Sequence, residues 1–301
     1  MVQATFTYTD LPELEAPATT APRQGYWWNV QRRLRGDYVT LFFLAIVVLL
    51  VLVAILAPLI APFDPNKTSM VYRLKPIGYR HFWLGTDELG RDMLSRLIYG
   101  ARLSLMMGLV PVMFATAIGG FFGVVAGFFG GWVNTVIMRL TDIFYAFPSV
   151  LLAVAISGTM GGGIANGLLA LTLVFIPPLC RVTEAATTQL RSRDFVEAAR
   201  ASGASGLSII FFHMLRNILG PVLIYASSLI SVSILLASGL SFLGLGVEPP
   251  TSDWGLMLST LRQSIYVQPV VCALPGAAIF IASLSFNLVS DGLRQAMDIK
   301  A

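Results

Sequence analysis

The sequence predicts an all-α polytopic membrane protein with six transmembrane helices. Two observations carry the prediction. The 301 residues are 56% hydrophobic but only 12% charged, about half the charged share of a soluble domain. Uncharged stretches also recur along nearly the whole chain, long enough to supply the ~20 apolar helical residues that cross a ~30 Å hydrocarbon core. One integral bundle in a lipid bilayer is the natural unit. The net charge of +4 comes without a Lys/Arg run of the kind that binds nucleic acid. Cys180 and Cys272 both lie in apolar stretches and read as packing residues, neither a disulfide framework nor a zinc site.

Residues 1–37 form a polar, Pro-containing leader ending in the basic cluster Arg32, Arg33 and Arg35. The first span, 38–63, is too long for a signal-peptide core and lacks a small-residue cleavage site, so it reads as an anchor. Residues 64–99 form an external loop with an amphipathic segment. The core, 100–292, holds five further spans, and 293–301 is a tail. Within the core, 103–138 supplies one span and a Gly-rich exit. Residues 143–180 exceed one bilayer crossing and are broken at 158–166, which predicts two spans joined by a tight turn. The fifth span falls in 218–247, closed by Glu248-Pro249-Pro250, and the sixth in 270–290.

Six spans place both termini on one side. With the N-terminus inside, twelve Lys/Arg fall on the cytoplasmic side (from Arg23 to Lys300) and eight on the outside. The strongly positive flank of the first span adds to that bias. The expected orientation is N-in and C-in, which places the polar interruption 183–217 in the cytoplasm.

That interruption reads as two short helices around a Gly/Ser turn. On a helix over 193–202, Phe195, Ala198, Ala199 and Ser202 share one face. Arg193, Glu197 and Arg200 share the other, within pairing distance at i+3 and i+4. Gly203 and Gly206 supply a sharp turn. Two readings stand at this point: an interfacial connector, or a docking piece for a partner. Gly119, Gly123, Gly127 and Gly131 recur every four residues, the spacing at which helices approach closely in lipid. They serve either packing against a neighbouring span or a surface that slides during gating. Prolines at 111, 148, 177, 178, 221 and 275 read as tolerated kinks or hinges.

Catalytic chemistry finds no residues. No Gly-x-x-x-x-Gly-Lys-Ser/Thr loop occurs, so a Walker A site for ATP is absent. His81 and His213 are the only histidines and fall on opposite sides, which leaves no two-His metal site. Asp87, Glu88 and Asp92 read as solvated or structural loop residues. The span interiors are essentially uncharged, whereas secondary transporters place ionisable groups there to carry coupling ions. An external energy source is therefore favoured over a secondary transporter.

Glu197-Ala-Ala-Arg-Ala-Ser-Gly203, followed by His213-x-Leu-x-Asn217, resembles the EAA-type coupling loop of bacterial ABC-importer permeases. The segment from Leu84-Gly-Thr-Asp to Ser104 resembles the dipeptide/oligopeptide permease family, and its short first external loop matches the second, C-type subunit. So do Asp142-Ile-Phe-Tyr-Ala-Phe-Pro148, Leu240-Ser-Phe-Leu-Gly-Leu-Gly246, Asp253-Trp-Gly255 and Asp291-Gly-Leu-Arg294. The resemblance implies a type I ABC-importer permease fold in the bacterial inner membrane. It also implies a heterodimer with a B-type permease subunit, two ABC ATPase subunits that hold ATP and Mg, and a periplasmic substrate-binding protein. This chain would hold no cofactor itself. Glu197, Ala198, Ala199 and Gly203, with Arg200 and Gly206, would form the coupling helix and its turn, seated on an ATPase. The implied cargo is peptides or similar polar solutes, and the same resemblance covers carriers of oligosaccharides, opines and nickel. Arg216 replaces the family's frequent Pro, which predicts a helix running unbroken into span five. Ala237 replaces a frequent acidic residue.

Overall fold

The computed structural model describes residues 32–297. Leader residues 1–31 with Arg23, and residues 298–301 with Lys300, lie outside the described residues. In chain order come α1 (Tyr38–Ile55), α2 (Met93–Phe129), α3 (Gly131–Tyr145), α4 (Ser149–Met160), α5 (Ile164–Arg191), α6 (Asp194–Ala201), α7 (Leu215–Phe242), α8 (Trp254–Leu261) and α9 (Pro269–Met297). The described residues include no strand. Five helical stretches are long and apolar enough to cross a membrane, and the α3–α4 pair makes six when counted as one span.

Several boundaries differ from the sequence expectation: α1 ends at Ile55 rather than 63, and α5 continues to Arg191, through the first nine residues of the interruption expected from 183. The second span starts at Met93 rather than near residue 103, because two arginines that suggested a loop belong to the helix. Arg96 is 1% exposed and its Nε lies 3.4 Å from Asp87 Oδ2, while Asp92 caps the helix by accepting from the Ser95 amide at 2.8 Å. The third span is not a straight helix from residue 143. It begins at Gly131 and bends by 85° between α3 and α4. Pro148 supplies the reason: it has no N–H for the helical ladder and restricts Phe147 before it. The turn expected at 158–166 is present, with Gly161 at φ +86° and Gly163 at φ +120°. Asn166 Nδ2 closes it by donating to the Met160 and Gly161 carbonyls at 3.0 and 3.1 Å.

α2 and α5 pack along their lengths through small residues. A Cβ on Gly119 would lie 2.7 Å from the Ile176 carbonyl oxygen. One on Gly123 would lie 2.6 Å from the Cys180 oxygen, and one on Gly127 2.6 Å from Thr187 Cβ. Gly131 does not extend this row. The helix ends at Phe129, Gly130 and Gly131 both take positive φ, and nothing lies within 4 Å of a Cβ at Gly131. Its role is to let α3 start in a new direction. α1 is apolar all round and largely exposed, with Phe42 62% and Leu49 59% accessible, as expected of a helix that faces lipid. It docks on α9 where Thr40 fills the space beside Gly292. Asp37 caps α1, accepting from the Val39 and Thr40 amides at 3.1 and 3.2 Å. The Thr40 hydroxyl, the strongest of its donors, and these amides hold the Asp37 carboxyl below its ordinary range.

At the end of the bundle away from α6, polar side chains lock loops onto α2. The Arg91 guanidinium pairs with Asp87 at 2.6 Å and Glu88 at 2.9 Å, so these acidic residues are structural rather than solvated. Ser104 Oγ donates to Asp253 at 2.7 Å and accepts from the Trp254 amide at 3.1 Å. The Trp254 indole N–H donates to the Leu97 carbonyl at 3.0 Å, over Gly100, where a Cβ would meet the indole at 2.9 Å. Trp254 is 1% exposed. Trp254→Ala is therefore expected to destabilise the bundle by about 3–5 kcal/mol, measured as a lowered thermal unfolding midpoint in detergent.

Candidate functional site

α5 ends at Arg191 and α6 begins three residues later at Asp194. Asp194 and Glu197 stand in the first turn of α6 and Arg200 in its last, each with the sign that its helix end favours. The helix ends in a left-handed glycine turn. Gly203 takes φ +81°, its amide donates to the Arg200 carbonyl at 3.0 Å, and the Ala204 amide donates to the Ala199 carbonyl at 3.0 Å. This pair of bonds is a Schellman motif. The chain then re-enters helix at Gly206–Ser208, passes a π-helical stretch Ile209–Met214, and continues as α7. No break occurs at Arg216, as expected where arginine stands in place of a proline.

The buried face of α6 is rotated from the one its sequence suggests. Val196 is fully buried and Ala199 9% exposed, both within the main apolar cluster with Ile209 and Met214, while Phe195 is 41% exposed. Ala198 and Glu197 are exposed as well. Glu197 forms no ion pair with Arg193 or Arg200 among the described residues. Arg200 instead lies over the Phe128 ring at 5.9 Å. A Cβ on Gly206 would lie 3.3 Å from the same ring. Phe128 thus ties both limbs of the hairpin to the end of α2, and Gly130 beside it lies against the Arg191 guanidinium. The sequence reading passed over Phe128 as one of many apolar residues. A displaced hairpin must carry α5 and α7, with which it is continuous, and α2, which it grips.

A second set of residues was legible only as separate polar positions. The Arg181 guanidinium pairs with the Asp142 carboxylate across the α3–α5 contact, with 44% and 38% of the side chains exposed. It also lies over the Tyr145 ring at 4.8 Å. Glu184, one turn nearer the hairpin, accepts from Asn134 Nδ2 at 2.6 Å and Thr188 Oγ1 at 3.0 Å. Beside the Arg181–Tyr145 contact is a cavity of about 310 Å³, bounded by the α3–α4 bend, the Pro177-Pro178 stretch of α5, and Tyr225 on α7.

The fold is thus a helical membrane bundle whose α5 and α7 are joined by a hairpin held against the end of α2. The chain belongs to the family described as binding-protein-dependent transport system inner membrane component, matched over residues 119–300. Residues 25–76 match the N-terminal transmembrane domain of oligopeptide transport permease C. It is a C-type permease subunit of an ABC importer. Among curated relatives, the di/tripeptide transport system permease protein DppC of Pseudomonas aeruginosa is 44% identical over 294 residues, 96% of this chain and 95% of that one. The glutathione transport system permease protein GsiD of Pectobacterium atrosepticum is 37% identical over 290 residues, again 96% and 95%. Among solved structures, the inward-facing MetNI methionine ABC transporter aligns with TM-score 0.56 and 19% identity, covering 68% of this chain and 97% of that one. That likeness is one of fold.

Proposed function

We propose that this permease carries short peptides, with Glu197 to Gly203 as the helix through which ATP-driven closure of an ATPase pair reaches the spans. The observation that carries the coupling reading is the exposed face of α6. Phe195, Glu197 and Ala198 are left uncovered at the tip of a hairpin gripped by Phe128. Small residues permit close approach of a partner, and Glu197 is free for charge-assisted hydrogen bonds. Nucleotide state would bias one side of a two-state bundle and the loaded binding protein the other.

The assembly in this reading has a B-type permease partner, two ATPase subunits that hold ATP and Mg, and a periplasmic binding protein. This chain holds no cofactor and no catalytic residue. Both termini face the cytoplasm, with 64–99 outside and 183–217 inside. The peptide reading is supported by the names of the relatives, which carry di/tripeptides and glutathione. The ligand retained by the purified cognate binding protein tests the cargo: a peptide is expected, and a sugar, opine or nickel complex would overturn it. Glu197→Lys tests the coupling. ATP-coupled uptake in proteoliposomes is expected to fall about tenfold, the equivalent of one charge-assisted contact; full uptake with the ATPases still bound would overturn it.

A further inference from the structure

The Asp142–Arg181 pair joins α3 to α5 with both side chains partly exposed. Arg181 lies ten residues before the α5 terminus at Arg191, about 15 Å of helix rise. It therefore stands within α5, two residues ahead of the segment 183–217. Both side chains are more than a third exposed on the surface of this chain, and charges that face hydrocarbon are costly. That face consequently belongs to water or to polar surroundings.

Its neighbours are mainly apolar side chains interrupted by two tyrosines. The cavity beside it, about 310 Å³, falls within the roughly 300–1,000 Å³ of small-solute sites. Its walls include Tyr145, Phe147, Phe175, Pro177, Pro178 and Tyr225. Neither tyrosine hydroxyl has a hydrogen-bond partner among the described residues. Pro177 and Pro178 bring no N–H to the helical ladder, which leaves the carbonyls of Leu173 and Val174 without their usual donors. The wall thus offers two unpaired hydroxyls and, at Val174, a carbonyl that Pro178 leaves without its helical donor. Arg181 spends a single hydrogen bond on Asp142 out of five guanidinium N–H groups, and Asp142 keeps its second oxygen.

We propose that Arg181 and Asp142, beside the Tyr145 wall of this cavity, form a charge-reading contact point in the translocation pathway. Arg181 takes carboxylate groups of a passing solute and Asp142 takes ammonium groups. The Tyr145 ring under the guanidinium fixes its plane, and the 85° α3–α4 bend holds Tyr145 there. The proposal rests on the peptide reading above.

The test compares two tripeptides, Ala-Glu-Ala and Ala-Lys-Ala, taken up by the full complex in proteoliposomes with one binding protein throughout. Arg181→Gln is expected to lower the acidic-to-basic uptake ratio about tenfold. Asp142→Asn is expected to raise it, and Arg181→Lys, which keeps the charge, to retain most of the original ratio. A structural strut would lower uptake of both peptides alike. Equal losses, or an unchanged ratio in both neutral variants, overturn the contact point while leaving the peptide reading intact. If Arg181→Gln fails to accumulate, Asp142→Asn decides on its own ratio. An unaltered complex that imports neither peptide overturns the peptide reading itself, and this proposal with it.

Discussion

Gly203→Pro is expected to lower ATP-coupled uptake by at least about tenfold. Proline holds φ near −65°, whereas Gly203 takes φ +81°. Proline also lacks the N–H that donates to the Arg200 carbonyl. Comparable losses in helices cost about 3 kcal/mol or more, beyond the ~1.4 kcal/mol that corresponds to tenfold. The damage is confined to the hairpin, because the turn is exposed and nothing lies within 4 Å of a Cβ there. Accumulation in the membrane is therefore expected to be normal while transport and ATPase co-purification fall. Gly203→Ala separates backbone strain from the lost hydrogen bond: it keeps the N–H and bears about 1–2 kcal/mol for the left-handed residue. Its uptake should fall between those of the unaltered permease and the proline variant. Normal transport by Gly203→Pro would show that the turn geometry does not transmit force.

The second large effect is expected at Gly123. Even a Cβ would lie 2.6 Å from the Cys180 carbonyl oxygen and 2.6 Å from Thr183 Cβ, and backbone cannot rotate aside as a flexible side chain can. Gly123→Leu must push α2 and α5 apart, at about 3 kcal/mol or more. The α5 displacement reaches the hairpin directly. Thermal unfolding in detergent and the amount of protein in the membrane report the loss. Gly120→Leu is the control, since nothing lies within 4 Å of a Cβ at that position. Equal stability of the two variants would overturn the close-packing account of the glycine row.

How far the site could be read from the chain differs between the two helices of that contact. The four-residue glycine spacing is visible in the sequence for as long as α2 lasts, so Gly119, Gly123 and Gly127 follow from periodicity. Gly131 breaks the pattern because periodicity does not tell where a helix stops. Gly130 at φ +64° ends it one residue before the next spacing. The hairpin shows the same division. Its position, its glycine turn and the unbroken run through Arg216 are local properties of residue type. The face that it buries is not, since Val196 is chosen by contact with Ile209 and Met214, which arrive only after the turn has closed.

Composition and the spacing of uncharged stretches were sufficient for an all-helical membrane bundle, because the bilayer imposes a length and an internal hydrogen-bonding requirement on any chain that crosses it. The ordered motifs were sufficient for the family. The Asp142–Arg181 pair, the Phe128 grip on the hairpin and the Ser104–Asp253–Trp254 lock were decided by tertiary structure alone. Their partners stand far apart in the chain, 39 residues for the ion pair and 149 for the serine and aspartate. No local propensity links such positions; only the packing of α3 on α5, of the hairpin on α2 and of the start of α8 on α2 brings them within bonding distance.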